Sequence, residues 1–176
     1  MLVYFLRHAS AGVSKSDPAK DEKRPLDREG VEQCSYVGRA LAVLETHVDV
    51  IISSPLKRAT QTAALIANEL AYQRKIDLDP ALRPGATFAQ FRDLLTWYAG
   101  QEAIMVVGHN PNLSQFLGAI ISDSGCEASL ELKKGAVAKV EMRRTSGTLQ
   151  WCVTPKILRT LYDTAVESSR PNTSRK

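Results

Sequence analysis

Arg7-His8 directly follows the apolar run Leu2 to Leu6, which reads as a first strand with a histidine at its C-terminal mouth. Ligands of open α/β sheets bind at that edge. A neutral imidazole there can act as a nucleophile toward phosphorus, while the neighbouring guanidinium holds negative oxygens with paired N–H donors. Alone, the dipeptide reads more readily as a strand-capping pair with no chemistry.

Two further segments repeat the pattern of apolar strand, polar turn and helix start. Val48 to Ile52 runs into Ser53-Ser54-Pro55-Leu56-Lys57-Arg58-Ala59-Thr60-Gln61-Thr62. Ser54 is the expected N-cap and Pro55 the expected first helical residue, so Arg58 falls in the first turn beside the strand mouth. Ala103 to Val107 runs into Gly108-His109-Asn110-Pro111-Asn112, again with a basic side chain ahead of a helix. Three strand ends thereby bring His8, Arg7, Arg58 and His109 to one side of a sheet.

These three segments resemble the signatures of the histidine phosphatase superfamily, the phosphoglycerate mutase-like fold. The short chain and Arg24-Pro25-Leu26 followed by Gly30 resemble its SixA-type phosphohistidine phosphatase branch. The resemblance implies a covalent phosphohistidine formed on His8, with Arg7, Arg58 and His109 as the catalytic partners. It also implies Arg24, Asn110 and the backbone at Ala9 as phosphoryl-binding groups. Ala9 stands where relatives usually carry glycine, and Ala81 stands where many carry a catalytic carboxylate. Asp79 is the nearest substitute, and Asp17, Asp21 and Glu22 are the carboxylates of the loop that would have to fold over the site.

That gap bears on the substrate. An alkoxide leaves poorly unless it is protonated, a contribution of about 10²–10⁴ in rate for a positioned acid. An imidazole leaving a phosphohistidine departs neutral, so a phosphorylated signalling or phosphotransfer protein is the expected partner. The alternatives are a phosphatase of small phosphoesters or nucleotides, and a non-catalytic phosphate-binding module. No cofactor is expected, and no Cys/His/Asp grouping has metal-ligand spacing.

The elements that must position these groups alternate strand and helix. That pattern predicts an α/β three-layer sandwich, a mostly parallel central sheet with helices on both faces. Strands are expected at 2–6, 48–52 and 103–107, and helices at 28–45, 55–71, 87–99 and 111–121. Residues 136–142 and 148–153 read as an antiparallel pair around Ser146-Gly147. One domain is expected over 1–167, followed by a disordered basic tail over 168–176.

Composition sets limits. With 176 residues and 44% hydrophobic content the chain can bury one ordinary core. Apolar runs reach about five residues, far below the ~20 that span a bilayer, and Met1 leads straight into a strand, so a cytoplasmic protein is expected. The net charge of +4 is dispersed over Lys133-Lys134, Arg143-Arg144 and the tail, without the aromatic platforms of a nucleic-acid binder. Cys34, Cys126 and Cys152 form neither a disulfide framework nor a zinc pattern. Cys34 is expected to pack on one helical face with Val31, Val37, Leu41 and Leu44.

Overall fold

The computed structural model describes residues 1–14, 16–122 and 128–168. Its elements run β1 (Leu2–Arg7), α1 (Pro18–Glu22), α2 (Arg28–Val43), β2 (Val50–Ser53), α3 (Lys57–Glu69), β3 (Asp77–Leu78), α4 (Phe88–Trp97), β4 (Ala103–Gly108), α5 (Asn112–Ile121), β5 (Val137–Met142), β6 (Gly147–Val153) and α6 (Pro155–Ser168). A single 3-10 turn, Pro80–Leu82, follows β3. The sheet order is β3-β2-β4-β1-β5-β6. The first four strands in that order are parallel, β5 adds antiparallel to β1, and β6 adds antiparallel to β5.

The two central strands are covered on both faces, so LVYFLR, up to its terminal arginine, and AIMVVG run apolar instead of alternating. Val3, Phe5, Ile104 and Val106 pack under α4 and α5 with Phe91, Leu113 and Phe116. Tyr4, Leu6, Met105 and Val107 pack under α2, α3 and α6 with Val37, Leu41, Ala63, Ile66 and Leu158. The expected three layers follow from this division. The chain leaves β1 and β2 toward one face and β4, which lies between them, toward the other. Such a topological switch opens a crevice at the carboxyl ends of the strands.

Local chemistry accounts for the helix starts. Asp27 caps α2 by accepting from Gly30 N at 2.7 Å. Thr87 and Gln90 form a reciprocal capping box on α4. Thr154 Oγ1 accepts from Ile157 N at 3.3 Å, and Pro155 occupies the first position of α6.

Several expectations need correction. The helix carrying Arg58 begins at Lys57, with Leu56 as its N-cap residue and no side-chain cap, and Ser54 and Pro55 remain in the preceding turn. Ser54 Oγ lies 3.4 Å from Leu56 N, too long for a strong cap, because the hydroxyl is drawn toward His109. Cys34 is buried as expected, but Val31 and Leu44 are exposed, since the buried stripe of α2 follows Cys34, Val37 and Leu41. The sequence reading also left out α1, β3, the 3-10 turn and α6. Cys126 and residues 169–176 of the expected tail lie outside the described residues. Among the described residues no helix is long and apolar enough to cross a membrane.

Candidate active site

His8 sits one residue past β1, its backbone N–H donating to Gly108 O at 3.0 Å across the β1–β4 pair. Its ring Nδ1 lies 2.8 Å from Ala9 O. A carbonyl only accepts, so Nδ1 carries the proton and Nε2 keeps its lone pair. The ring is 8% exposed. Burial, partly offset by the Ala9 carbonyl and reinforced by the charges of Arg58, Arg7 and Arg24, pushes its pKa down to about 4. At neutral pH this histidine is an uncharged base with a free nitrogen.

His109 occupies the equivalent step past β4. Its ring centroid is 4.8 Å from that of His8 at an interplanar angle of 53°. Its Nε2 lies 2.8 Å from Ser54 Oγ, at the end of β2. With the Ser54 hydroxyl donating to Nε2, the ring hydrogen resides on Nδ1, the tautomer in which His109 can donate to an oxyanion. Burial, then the neighbouring His8, Arg58, Arg7 and Arg83, push the His109 pKa down to about 2.

Arg7 and Arg58 are held in a matching way. Arg7 Nη1 donates to Leu132 O at 2.7 Å. Arg58 Nη1 donates to Asp21 O at 2.9 Å and lies 3.2 Å from Asp21 Oδ2. In each guanidinium the protein holds Nη1, and the opposite edge, which begins at Nε, remains. Among the described residues the buried side-chain nitrogens and oxygens without a hydrogen-bond partner are Arg7 Nε, Arg58 Nε and His109 Nδ1. Both Nε atoms are donors, and His109 Nδ1 is one when Ser54 donates to Nε2. A buried donor left unpaired costs about 1–3 kcal/mol, and more when charged, so three of them on neighbouring elements fit an oxyanion.

The other expected binding residues have partners in the protein. Arg24 Nε pairs with Asp21 Oδ1 at 2.9 Å, and its Nη1 donates to Ala11 O at 2.6 Å and Gly12 O at 3.2 Å. It staples the loop after His8, while its charge still acts on that ring. Asn110 Nδ2 donates to Leu132 O at 2.9 Å, and its Oδ1 accepts from Ser114 Oγ at 2.8 Å. Asn110 thus helps fix the carbonyl that holds Arg7. Ala9 N donates to Thr62 Oγ1 at 3.1 Å, and the Thr62 hydroxyl donates to Arg58 O at 2.8 Å.

The carboxylates considered as acids have structural partners too. Asp79 accepts from Ala81 N at 2.7 Å and caps the 3-10 turn. Asp17 caps α1, and Glu22 pairs with Arg83. Asp27 accepts from Gly30 N, Ser10 Oγ and Gly12 N, and although burial opposes its charge these donors hold its carboxyl below the usual range. Among the described residues no group of three or more His, Cys, Asp or Glu side chains could hold a metal ion. Sequence reasoning missed Ser54 as the partner of His109, Thr62 as the anchor of Ala9, and the Leu132 carbonyl. Only Thr62 carried a local signal, lying one helical turn after Arg58.

A neutral histidine beside arginine and histidine nitrogens at a sheet switch point has the chemistry of an oxyanion-binding site. The sequence profile of the Histidine phosphatase superfamily (branch 1) matches residues 3–84. An uncharacterised protein of Picosynechococcus sp. is 36% identical over 122 residues, covering 68% of this chain and 73% of that protein. Phosphohistidine phosphatase SixA of Escherichia coli is 24% identical over 160 residues, covering 88% of this chain and 94% of that protein. The structure of the protein histidine phosphatase SixA complexed with tungstate superposes with a TM-score of 0.80 at 22% identity, covering 90% of this chain and 99% of the other. The chain belongs to the histidine phosphatase superfamily, in its SixA-type branch, and is a phosphatase.

Proposed function

We propose that this phosphatase acts in the cytoplasm on phosphohistidine of a protein partner, through a covalent phosphohistidine at His8 and without a metal. His8 Nε2 attacks phosphorus, and the bond from phosphorus to the substrate imidazole breaks. That imidazole is protonated on the departing nitrogen by solvent water, which becomes hydroxide and is neutralised by the proton later lost from the attacking water, and it leaves neutral. Water then attacks the phosphorus held on His8, releasing inorganic phosphate and restoring the ring.

The observation that carries this reading is the set of unpartnered donors, Arg7 Nε, Arg58 Nε and His109 Nδ1, around a histidine whose free nitrogen is Nε2. Charge on the transferring phosphoryl oxygens would meet preorganised donors in place of water. The two guanidiniums would supply the positive charge that a metal supplies in other phosphotransfer enzymes. Tungstate, bound in the SixA structure of the same fold, is likewise an oxyanion.

The substrate assignment rests on the carboxylates. Asp79, Asp17, Asp21 and Glu22 all have partners, which favours a leaving group needing no strong acid. The test is to mix the enzyme with a ³²P-labelled phosphohistidine protein, quench at short times and map the label. Label on His8, lost in His8→Ala, is the expected result. Wild-type turnover in His8→Ala would overturn the mechanism, and equal efficiency on alkyl phosphates would overturn the substrate class.

A further inference from the structure

We infer that Asp21, backed by Arg24, is a positioning residue that presents the Nε edge of Arg58 to the phosphoryl group. The inference rests on reading the site as a phosphoryl clamp.

Arg58 is 5% exposed, and among the described residues every hydrogen bond or ion pair its guanidinium makes goes to Asp21. The main-chain carbonyl of Asp21 and its Oδ2 converge on the same nitrogen, Nη1, at 2.9 and 3.2 Å. They contact the guanidinium away from Nε, so an oxyanion bonded to Nε would not compete with them for the same nitrogen. Arg7 is gripped through Nη1 by a neutral carbonyl, whereas Arg58 is gripped by a charged group 37 residues away in sequence.

The carboxylate itself is braced. Its Oδ1 accepts from Arg24 Nε and from Ser14 Oγ, each at 2.9 Å. Arg24 also reaches the Ala11 and Gly12 carbonyls just after His8. Glu22, the next residue, pairs with Arg83 beyond the 3-10 turn. The segment 18–24 is thus tied to the loop after His8 and to Arg83, and it is this segment that holds Arg58. Because both Asp21 oxygens accept from guanidiniums, its role is to orient a cation and not to deliver a proton.

A counter-ion role predicts the opposite outcome. If Asp21 competed with the phosphoryl group for Arg58, its removal would tighten oxyanion binding. If it positions Arg58, its removal loosens it.

The experiment measures competitive inhibition by tungstate, with KM and kcat on a phosphohistidine protein, for the intact chain and for Asp21→Ala, Asp21→Asn and Arg58→Ala. Asp21→Ala should weaken tungstate inhibition about tenfold, the low end of what a hydrogen bond to a charged group contributes. Asp21→Asn keeps one acceptor oxygen and should fall between, which gives a readout even if the alanine variant folds poorly. On an Arg58→Ala background the Asp21→Ala change should add less than about twofold, since the two act through one contact. A merely structural loss would instead be additive. Unchanged or tighter tungstate inhibition in Asp21→Asn, or an additive cycle, overturns the inference. Turnover surviving in His8→Ala would overturn the clamp reading itself, so the two failures are distinguishable.

Discussion

Acid should spare this active site well below the pH at which an ordinary histidine charges. The ordinary value is about 6.5, so at pH 5 only about 3% of an unperturbed imidazole would be neutral. With its pKa pushed down to about 4, His8 remains about 90% neutral at that pH. Nucleophile availability at pH 5 therefore differs about 30-fold between the two cases. The direct assay is a ¹³C/¹⁵N titration of the imidazole signals, assigned through His8→Ala and His109→Gln. Arg58→Ala should raise the His8 midpoint, because the Arg58 charge is one of the groups that lower it. A His8 midpoint at 6 or above in the unaltered protein would refute the burial argument.

The same shifts bear on stability. Both rings have folded-state pKa values below the unfolded 6.5, so the unfolded chain binds protons that the folded one refuses. Their contribution is complete above about 6.5 and is lost as pH falls, through about 4 for His8 and about 2 for His109. One pKa unit is worth about 1.4 kcal/mol, so between pH 5.5 and 4.5 the pair should lose about 2.5 kcal/mol of unfolding free energy. Urea titrations at the two pH values, compared with the same pair for His8→Ala, isolate the His8 share from that of the carboxylates. An identical pH dependence in the variant would rule the term out.

Three further outcomes are expected. Thr62→Val removes the acceptor of the buried Ala9 N–H and should cost about 1–3 kcal/mol, read as a fall in Tm of several degrees, while a change under about 0.5 kcal/mol would mean the contact is dispensable. Gly30→Ala would place a Cβ 2.0 Å from the Ser10 carbonyl oxygen, forcing α2 away from the loop after His8, so kcat/KM should fall at least about tenfold, and a fully active, equally stable variant would contradict the close approach. Turnover should survive EDTA, because Arg7 and Arg58 carry the charge that would neutralise the phosphoryl oxygens, and loss on chelation restored by added metal would refute that assignment.

What the sequence made legible was whatever lay within one strand–turn–helix unit. The runs ending at Leu6, Ile52 and Val107 are apolar because their strands are buried on both faces, and the polar residues next in line could only fall at the strand mouths. His8, Arg7, Arg58 and His109 were readable for that reason. The partners that tune them come from distant parts of the chain: Leu132 to Arg7, Asp21 to Arg58, Ser54 to His109. No periodicity encodes such a pairing. Ser54-Pro55 looked like a helix start because both residues suit one, yet the tertiary demand of His109 took the hydroxyl and moved the start to Lys57. The local signal for α6 was present in Thr154-Pro155 and in Leu158 and Tyr162 one turn apart, both packed on the α2 side of the core. Arg24 and Asn110 lie in motif positions that suggest ligand contact, but their hydrogen bonds go to the loops that carry the clamp. The motif therefore marks which segments meet at the strand mouths, whereas the proposed division between groups that face a phosphoryl group and groups that hold them in place rests on which donors the protein leaves unpaired.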